Sequence, residues 1–72
     1  MLLCNAPIGK SYQICVINLP GTLINKLESR GITEQARIEL LHRDRADCTV
    51  IRCRAGRFAL GSYYTRHIEL KR

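Results

Sequence analysis

The sequence lacks tryptophan and has only four aromatic side chains, one phenylalanine and three tyrosines, among 72 residues. Its core must therefore be aliphatic, built from eight isoleucines, nine leucines and two valines. A single small domain with such a core is expected to be stable by only about 3–5 kcal/mol. This margin argues against a catalytic cleft, because strained and desolvated polar groups cost stability. The composition predicts one domain over residues 1–72 that is not an enzyme.

Long apolar runs are also missing from the chain. None approaches the roughly 20 residues that a membrane-spanning helix requires. The first residues, Met1 to Cys4, have neither the basic region nor the long apolar stretch of a secretory signal. We therefore expect a cytoplasmic protein.

The sequence contains no recognisable metal or catalytic motif. Its four cysteines and two histidines are Cys4, Cys15, Cys48, Cys53, His42 and His67. They form none of the close pairs, such as CxxC or HxxxH, that metal sites use. In a reducing cytosol the cysteines are expected to be free, although an even number also allows two disulfides. Neither a GxSxG elbow nor a phosphate loop occurs, so we predict no catalytic residue and no metal ligand, and leave open a weak association with Fe(II) or Zn(II).

Positive charge is what the chain has in excess. Twelve lysines and arginines against six acidic residues give a net charge of +6, and nine of the twelve are arginines. Three of them, Arg52, Arg54 and Arg57, lie on the two arms of a predicted hairpin, and we predict them as partner-binding residues. Such a surface suits solvation alone, an acidic protein or membrane face, or a nucleic acid. Nucleic acid is disfavoured, because Phe58 is expected in the core and not exposed for base stacking.

Turn residues divide the chain into short strands and one helix. The first strand is predicted at residues 11–18, which are rich in β-branched and aromatic side chains. A helix follows at residues 22–30, with Thr22 as its N-cap. Gly31 is expected to end the helix in the left-handed conformation, and Ile32 to close back on it.

The remainder of the chain reads as β-structure. Further strands are predicted at residues 36–42, 48–54, 57–60 and 67–70, with a helical turn at residues 61–66 that Ser62 caps. The second and third of these strands form the arginine-bearing hairpin. Five short strands, with one helix inserted after the first, favour a mainly β fold and a small closed barrel.

The order of these segments resembles the FeoA family of small accessory proteins in bacterial ferrous iron uptake. The similar segments are residues 7–10 (PIGK, for kpGe), 27–32 (LESRGI, for LxxLGI), 37–41 (RIELL, a second strand), 47–60 (DCTVIRCRAGRFAL, for GDPIxIxVRGxxIAL) and 64–70 (YTRHIEL, for EAxxIxV). The resemblance implies a five-stranded SH3-like barrel with one short helix inserted after the first strand. The family has no agreed catalytic residues.

The resemblance also implies a partner. FeoA proteins are thought to interact with FeoB, a membrane ferrous iron transporter with a cytosolic G-protein domain. We therefore expect a bacterial cytoplasmic protein, held at the inner membrane only through that transporter and modulating its activity or assembly. The same barrel ends DtxR-type repressors, but this sequence has no helix-turn-helix to read DNA.

Two other functions stay open at this point: a small iron or zinc carrier or sensor, and a basic nucleic-acid-binding barrel. Self-association through edge strands is also open. The groove between the helix and the loop around Asp47 is the expected place for a peptide, as in other SH3-like folds.

Overall fold

The computed structural model describes residues 1–71 of the chain. Five antiparallel strands form one sheet in the order β4-β3-β2-β1-β5. The strands are β1 (Ser11–Ile17), β2 (Arg37–Arg43), β3 (Thr49–Cys53), β4 (Gly56–Leu60) and β5 (Ile68–Lys71). Helix α1 (Gly21–Glu28) follows β1, the short helix α2 (Ser62–Thr65) joins β4 to β5, and a 3₁₀ turn (Leu3–Asn5) precedes β1. The fold class is confirmed: a small, mainly β, SH3-like five-stranded barrel with one helix inserted after the first strand.

The core is aliphatic, as the composition predicts. Alternate residues of each strand face inward, and the fully buried side chains of the barrel include Ile14, Ile38, Leu40, Ile51 and Ile68. Helix α1 contributes Leu27, and the N-terminal 3₁₀ turn contributes Leu3. The N-terminal segment is therefore part of the core.

Helix α1 begins one residue earlier than predicted. Its first turn is closed by the carbonyl of Pro20, which accepts the N–H groups of Leu23 and Ile24 at 3.0 Å each. Thr22 consequently lies inside the first turn, and no side chain caps this helix. The predicted Thr22 cap is wrong, because the Pro20-Gly21 pair starts the helix before Thr22.

The predicted end motif of α1 is confirmed, although the helix itself ends at Glu28 and not at residue 30. Gly31 has φ +78°, and its N–H donates to the carbonyl of Glu28 at 2.9 Å. The N–H of Ile32 donates to the carbonyl of Leu27, also at 2.9 Å. These two bonds form a Schellman motif. Ile32 and Leu27 are both buried, so the hydrophobic contact that usually accompanies the motif is present.

The second helical turn is present, but its cap is also different. Gly61 precedes α2, and no side-chain oxygen bonds the first turn. Ser62 instead lies inside the helix, where its carbonyl accepts the N–H of Arg66 at 3.0 Å. The predicted Ser62 cap is therefore wrong by one position.

Two irregularities of register shape the sheet. The pairing of β1 with β5 shifts between Ile14 and Val16, and that of β2 with β3 shifts between Leu40 and His42. Each shift is a bulge of one extra residue, which bends a strand and increases its twist. At the β1 bulge, both Cys15 and Val16 are exposed, so the strict alternation of the strand is lost there.

The two edges of the sheet differ. The edge at β5 is covered by the N-terminal segment, since Leu2 pairs with Glu69 and the N–H of Leu70 donates to the carbonyl of Met1 at 2.6 Å. The edge at β4, which we call the β4 edge, has β3 as its strand partner on one side. On its other side, no strand or bridge formed by residues 1–71 pairs with it, so the barrel is not closed between β4 and β5, against the expectation of a closed barrel.

Candidate functional site

The three predicted arginines come together at one end of the β3–β4 hairpin. Arg52 and Arg57 are direct partners across the two strands, and Arg54 lies in the two-residue turn that Cys53 and Gly56 close. All three side chains are exposed. We call Arg52, Arg54 and Arg57 the arginine cluster.

Arg52 and Arg57 form a non-hydrogen-bonded pair, the kind of antiparallel pair in which side chains lie closest. A two-residue turn closes on a hydrogen-bonded pair, here Cys53 and Gly56, and hydrogen-bonded pairs then alternate with non-hydrogen-bonded ones. Arg52 and Arg57 are the next pair, so they are not hydrogen-bonded to each other. Side chains approach most closely in such pairs, and like charges placed directly opposite destabilise a sheet. The arrangement therefore costs stability.

One carboxylate partly offsets this repulsion. Glu39 lies opposite Arg52 on β2, and its Oε1 is 3.4 Å from a guanidinium nitrogen of Arg52. Both side chains are well exposed, so the ion pair is weak. Arg57 forms no ion pair with residues 1–71. Its charge is the uncompensated member of the pair and faces solvent.

A fourth arginine, Arg37, extends the cluster and was not predicted. The β2–β3 register that sets Glu39 opposite Arg52 brings Arg37 level with Arg54. Both line an open cleft of about 540 Å³, together with residues 31 and 33–36. The available signal was alternation: Arg37 precedes the inward-facing Ile38, so it faces out. The strand register that places it beside Arg54 is not readable from local sequence.

The end of α1 packs against the same hairpin. The guanidinium of Arg30 lies 5.4 Å from the centroid of the Phe58 ring. A Cβ at Gly31 would be 3.8 Å from the Cβ of Ala55, in the hairpin turn. Phe58 faces inward as predicted, but it is only half-buried. One side of the β4 edge thus presents an aromatic ring beside a cation.

The expected groove between the helix and Asp47 is not formed at this end of α1. The helix end lies at the Cys53 end of β3, where the Cys53 thiol contacts the carbonyl of Arg30 at 3.4 Å. Asp47 precedes Thr49 and therefore lies beyond the other end of the same strand. The cleft that adjoins the helix end is the one lined by Arg37 and Arg54.

The cysteines and histidines are dispersed. All four cysteines are free thiols, with Cys15 exposed and the other three half-buried. His67 Nδ1 lies 2.7 Å from the carbonyl of Tyr63, and His42 is exposed. Within residues 1–71, no three His, Cys, Asp or Glu side chains are grouped to hold a metal ion.

The helices of the described chain are short. None of those formed by residues 1–71 has the length and apolar character needed to cross a membrane.

Comparison with known protein families and with solved structures points to one family. The model of the FeoA domain family matches residues 1–72. A crystal structure of an iron uptake regulatory protein (FeoA) is 22% identical, with a TM-score of 0.87 over 99% of this chain and 95% of that one. No curated protein matches the chain.

Two solution structures have the same fold. Iron(II) transport protein A from Clostridium thermocellum is 21% identical, with a TM-score of 0.88 over 99% of this chain and 44% of that one. The FeoA protein from Chlorobium tepidum is 14% identical, with a TM-score of 0.88 over 97% of this chain and 68% of that one. At these identities the likeness establishes the fold alone.

Proposed function

Because the chain belongs to the FeoA family, an accessory family of ferrous iron transport, we propose that it docks on the cytosolic part of a FeoB-type ferrous iron transporter. In this proposal it is a non-enzymatic module of the bacterial cytoplasm. It reaches the inner membrane only through the transporter, and it modulates the transporter's activity or assembly.

The observation that supports this proposal is the unbalanced arginine pair. Arg52 and Arg57 stand directly opposite each other at close range, and only Arg52 has a carboxylate nearby. A pairing that costs stability is most easily explained by a role outside the fold. An acidic surface on a partner would turn the repulsion into attraction and would speed association through long-range steering.

The direct test is titration calorimetry of this protein with the purified cytosolic domain of a FeoB transporter from the same bacterium. The titration is run with and without Fe(II), and at low and high salt. We expect saturable binding that does not require iron and that weakens as salt rises, because the arginine charges are screened.

A matched pair of triple variants locates the surface. One reverses the arginine cluster: Arg52→Glu, Arg54→Glu and Arg57→Glu. The control reverses three exposed cations outside it: Lys26→Glu, Arg45→Glu and Arg66→Glu. Both variants have the same net charge. We expect the first to weaken binding by at least about tenfold and the second to change it by less than about threefold.

Three outcomes would contradict the proposal. Equal losses in the two triple variants would show that net charge, and not the arginine cluster, is responsible. Heat that appears only with Fe(II), and equally without the transporter domain, would favour a metal carrier. Absence of binding at both salt concentrations would exclude the cytosolic domain as the partner.

A further inference from the structure

The β4 edge exposes unpaired backbone groups at defined residues. Gly56, Phe58 and Leu60 lie in the hydrogen-bonded pairs with β3, because the pairs alternate from the Cys53–Gly56 closure. The N–H and C=O groups of Arg57 and Ala59 therefore point away from β3. Two residues on β4 thus offer a donor and an acceptor each to an additional strand.

The side chains along this edge differ between its two faces. On the outer face, Arg57 and Ala59 are exposed, and Arg52 stands beside Arg57. On the inner face, Phe58 is half-buried, with the Arg30 guanidinium over its ring. An added strand would meet positive charge on the outer face and an incompletely covered aromatic ring on the inner face.

From this pattern we infer that the β4 edge binds an extended acidic segment of a partner polypeptide as a sixth strand of the sheet, antiparallel to β4. Its acidic side chains lie on the outer face opposite Arg57, and an apolar side chain covers Phe58. Strand addition of this kind takes affinity from main-chain hydrogen bonds and specificity from alternate side chains. The inference rests on the proposed docking function and specifies the chemistry of the docked segment.

Charge argues against a second copy of this chain as the occupant. Pairing β4 with β4 around a two-fold axis would bring two Arg57 side chains, each already beside Arg52, onto one face of a continuous sheet. Like charges in such an arrangement are destabilising. An acidic strand instead places a carboxylate where Arg57 has no ion-pair partner among residues 1–71.

The test uses a synthetic nine-residue probe, acetyl-Ser-Glu-Val-Glu-Val-Glu-Val-Glu-Ser-amide, and the full chain. In an added strand antiparallel to β4, the two residues of a hydrogen-bonded pair share a face, so the glutamates that face Arg57 must be the residues whose N–H groups bond β4. Methylating the glutamate nitrogens should therefore abolish binding. Methylating the valine nitrogens should leave it within about threefold, since those groups point away from β4.

Charge is tested separately. A probe with glutamine in place of every glutamate should bind at least about tenfold more weakly at low salt. Arg57→Glu should weaken binding of the acidic probe to a similar extent. Arg45→Glu, at an exposed loop position, should change the affinity for that probe by less than about twofold. Hydrogen exchange at the Arg57 and Ala59 amides should slow when the acidic probe is bound.

Several results would overturn the inference. Equal binding of the two methylated probes, or unchanged exchange at the Arg57 and Ala59 amides, would show that no strand is added. Tighter binding of a ten-residue oligothymidylate than of the acidic probe would favour nucleic acid. Self-association that the probe does not reduce would favour a second copy of the chain.

The acidic probe and the transporter domain together distinguish a failure of this inference from a failure of the docking proposal. If the transporter domain binds but neither competes with the probe nor protects the Arg57 amide, docking stands and strand addition is wrong. If the probe binds as expected but the transporter domain does not, strand addition stands and the proposed partner is wrong.

Discussion

The two edges of the sheet differ in what happens to their unpaired backbone groups. An edge strand presents unpaired backbone groups, and proteins cover such edges or guard them with charge. The β5 edge is covered by the protein's own residues, through the Leu2–Glu69 bridge and the Met1 carbonyl. The β4 edge is left open and has arginines beside it. The first edge is satisfied within the described residues, whereas the second keeps the unpaired backbone groups to which our proposal assigns a partner strand.

Two arginines make the same contrast at the level of single side chains. Arg43 is half-buried, and its Nη2 donates to the carbonyls of Leu3 and Ala6 at 2.9 and 3.1 Å. Its Nε also contacts the hydroxyl of the buried Thr49 at 3.3 Å. Arg57 is exposed and has another arginine opposite. Identical side chains thus hold the N-terminal segment in place in one region and remain free in the other.

The largest expected change in the free energy of unfolding comes from a substitution at the covered edge. Leu3 is fully buried, so Leu3→Ala should lower the free energy of unfolding by about 2–5 kcal/mol. Urea denaturation followed by circular dichroism would measure the loss. Ile8→Ala is the control, because Ile8 is 36% exposed and its truncation should cost less than about 1 kcal/mol. Equal losses at both positions would contradict the structural role assigned to the N-terminal turn.

The second largest expected change in the free energy of unfolding comes from removing the Arg43 side chain. Arg43→Ala removes charged donors from the carbonyls of Leu3 and Ala6, and should cost about 1.5–3 kcal/mol. The same denaturation experiment measures it. Arg45→Ala, two residues away and exposed, should stay within about 0.5 kcal/mol of the wild type. A neutral result for Arg43→Ala would mean that water replaces the guanidinium, and that backbone pairing and side-chain packing hold the covered edge without it.

The parts of this fold that sequence predicted are local. The Schellman end of α1 needs only a left-handed residue at Gly31 and an apolar one at Ile32, and both stand next to the helix. Strand alternation likewise places Phe58 on the inner face. The caps failed for a local reason too: the N-cap positions are Pro20, two residues before Thr22, and Gly61, one residue before Ser62.

The parts that sequence did not predict depend on contacts between distant residues. Pairing of Leu2 with Glu69 joins the two ends of the described chain, and no local pattern specifies it. The bulge at Cys15 leaves two successive residues outside, against simple alternation. Arg37 faces out in the predicted pattern, but only the β2–β3 register brings it beside Arg54. The arginine cluster was predicted from a hairpin, which is itself a local structure.

The smallest effect is the most informative about the open edge, because its expected sign is unusual. Arg57→Thr removes one of two opposed charges and introduces a residue that suits strands, so it should stabilise the protein by about 0.2–1 kcal/mol. Arg52→Thr relieves the same repulsion but loses the ion pair with Glu39, so its gain should be smaller. Both gains should shrink at high salt, because screening weakens the repulsion in the wild type. A loss of stability in Arg57→Thr, at any salt concentration, would mean that Arg57 supports the fold, and the contrast between the two edges would no longer hold.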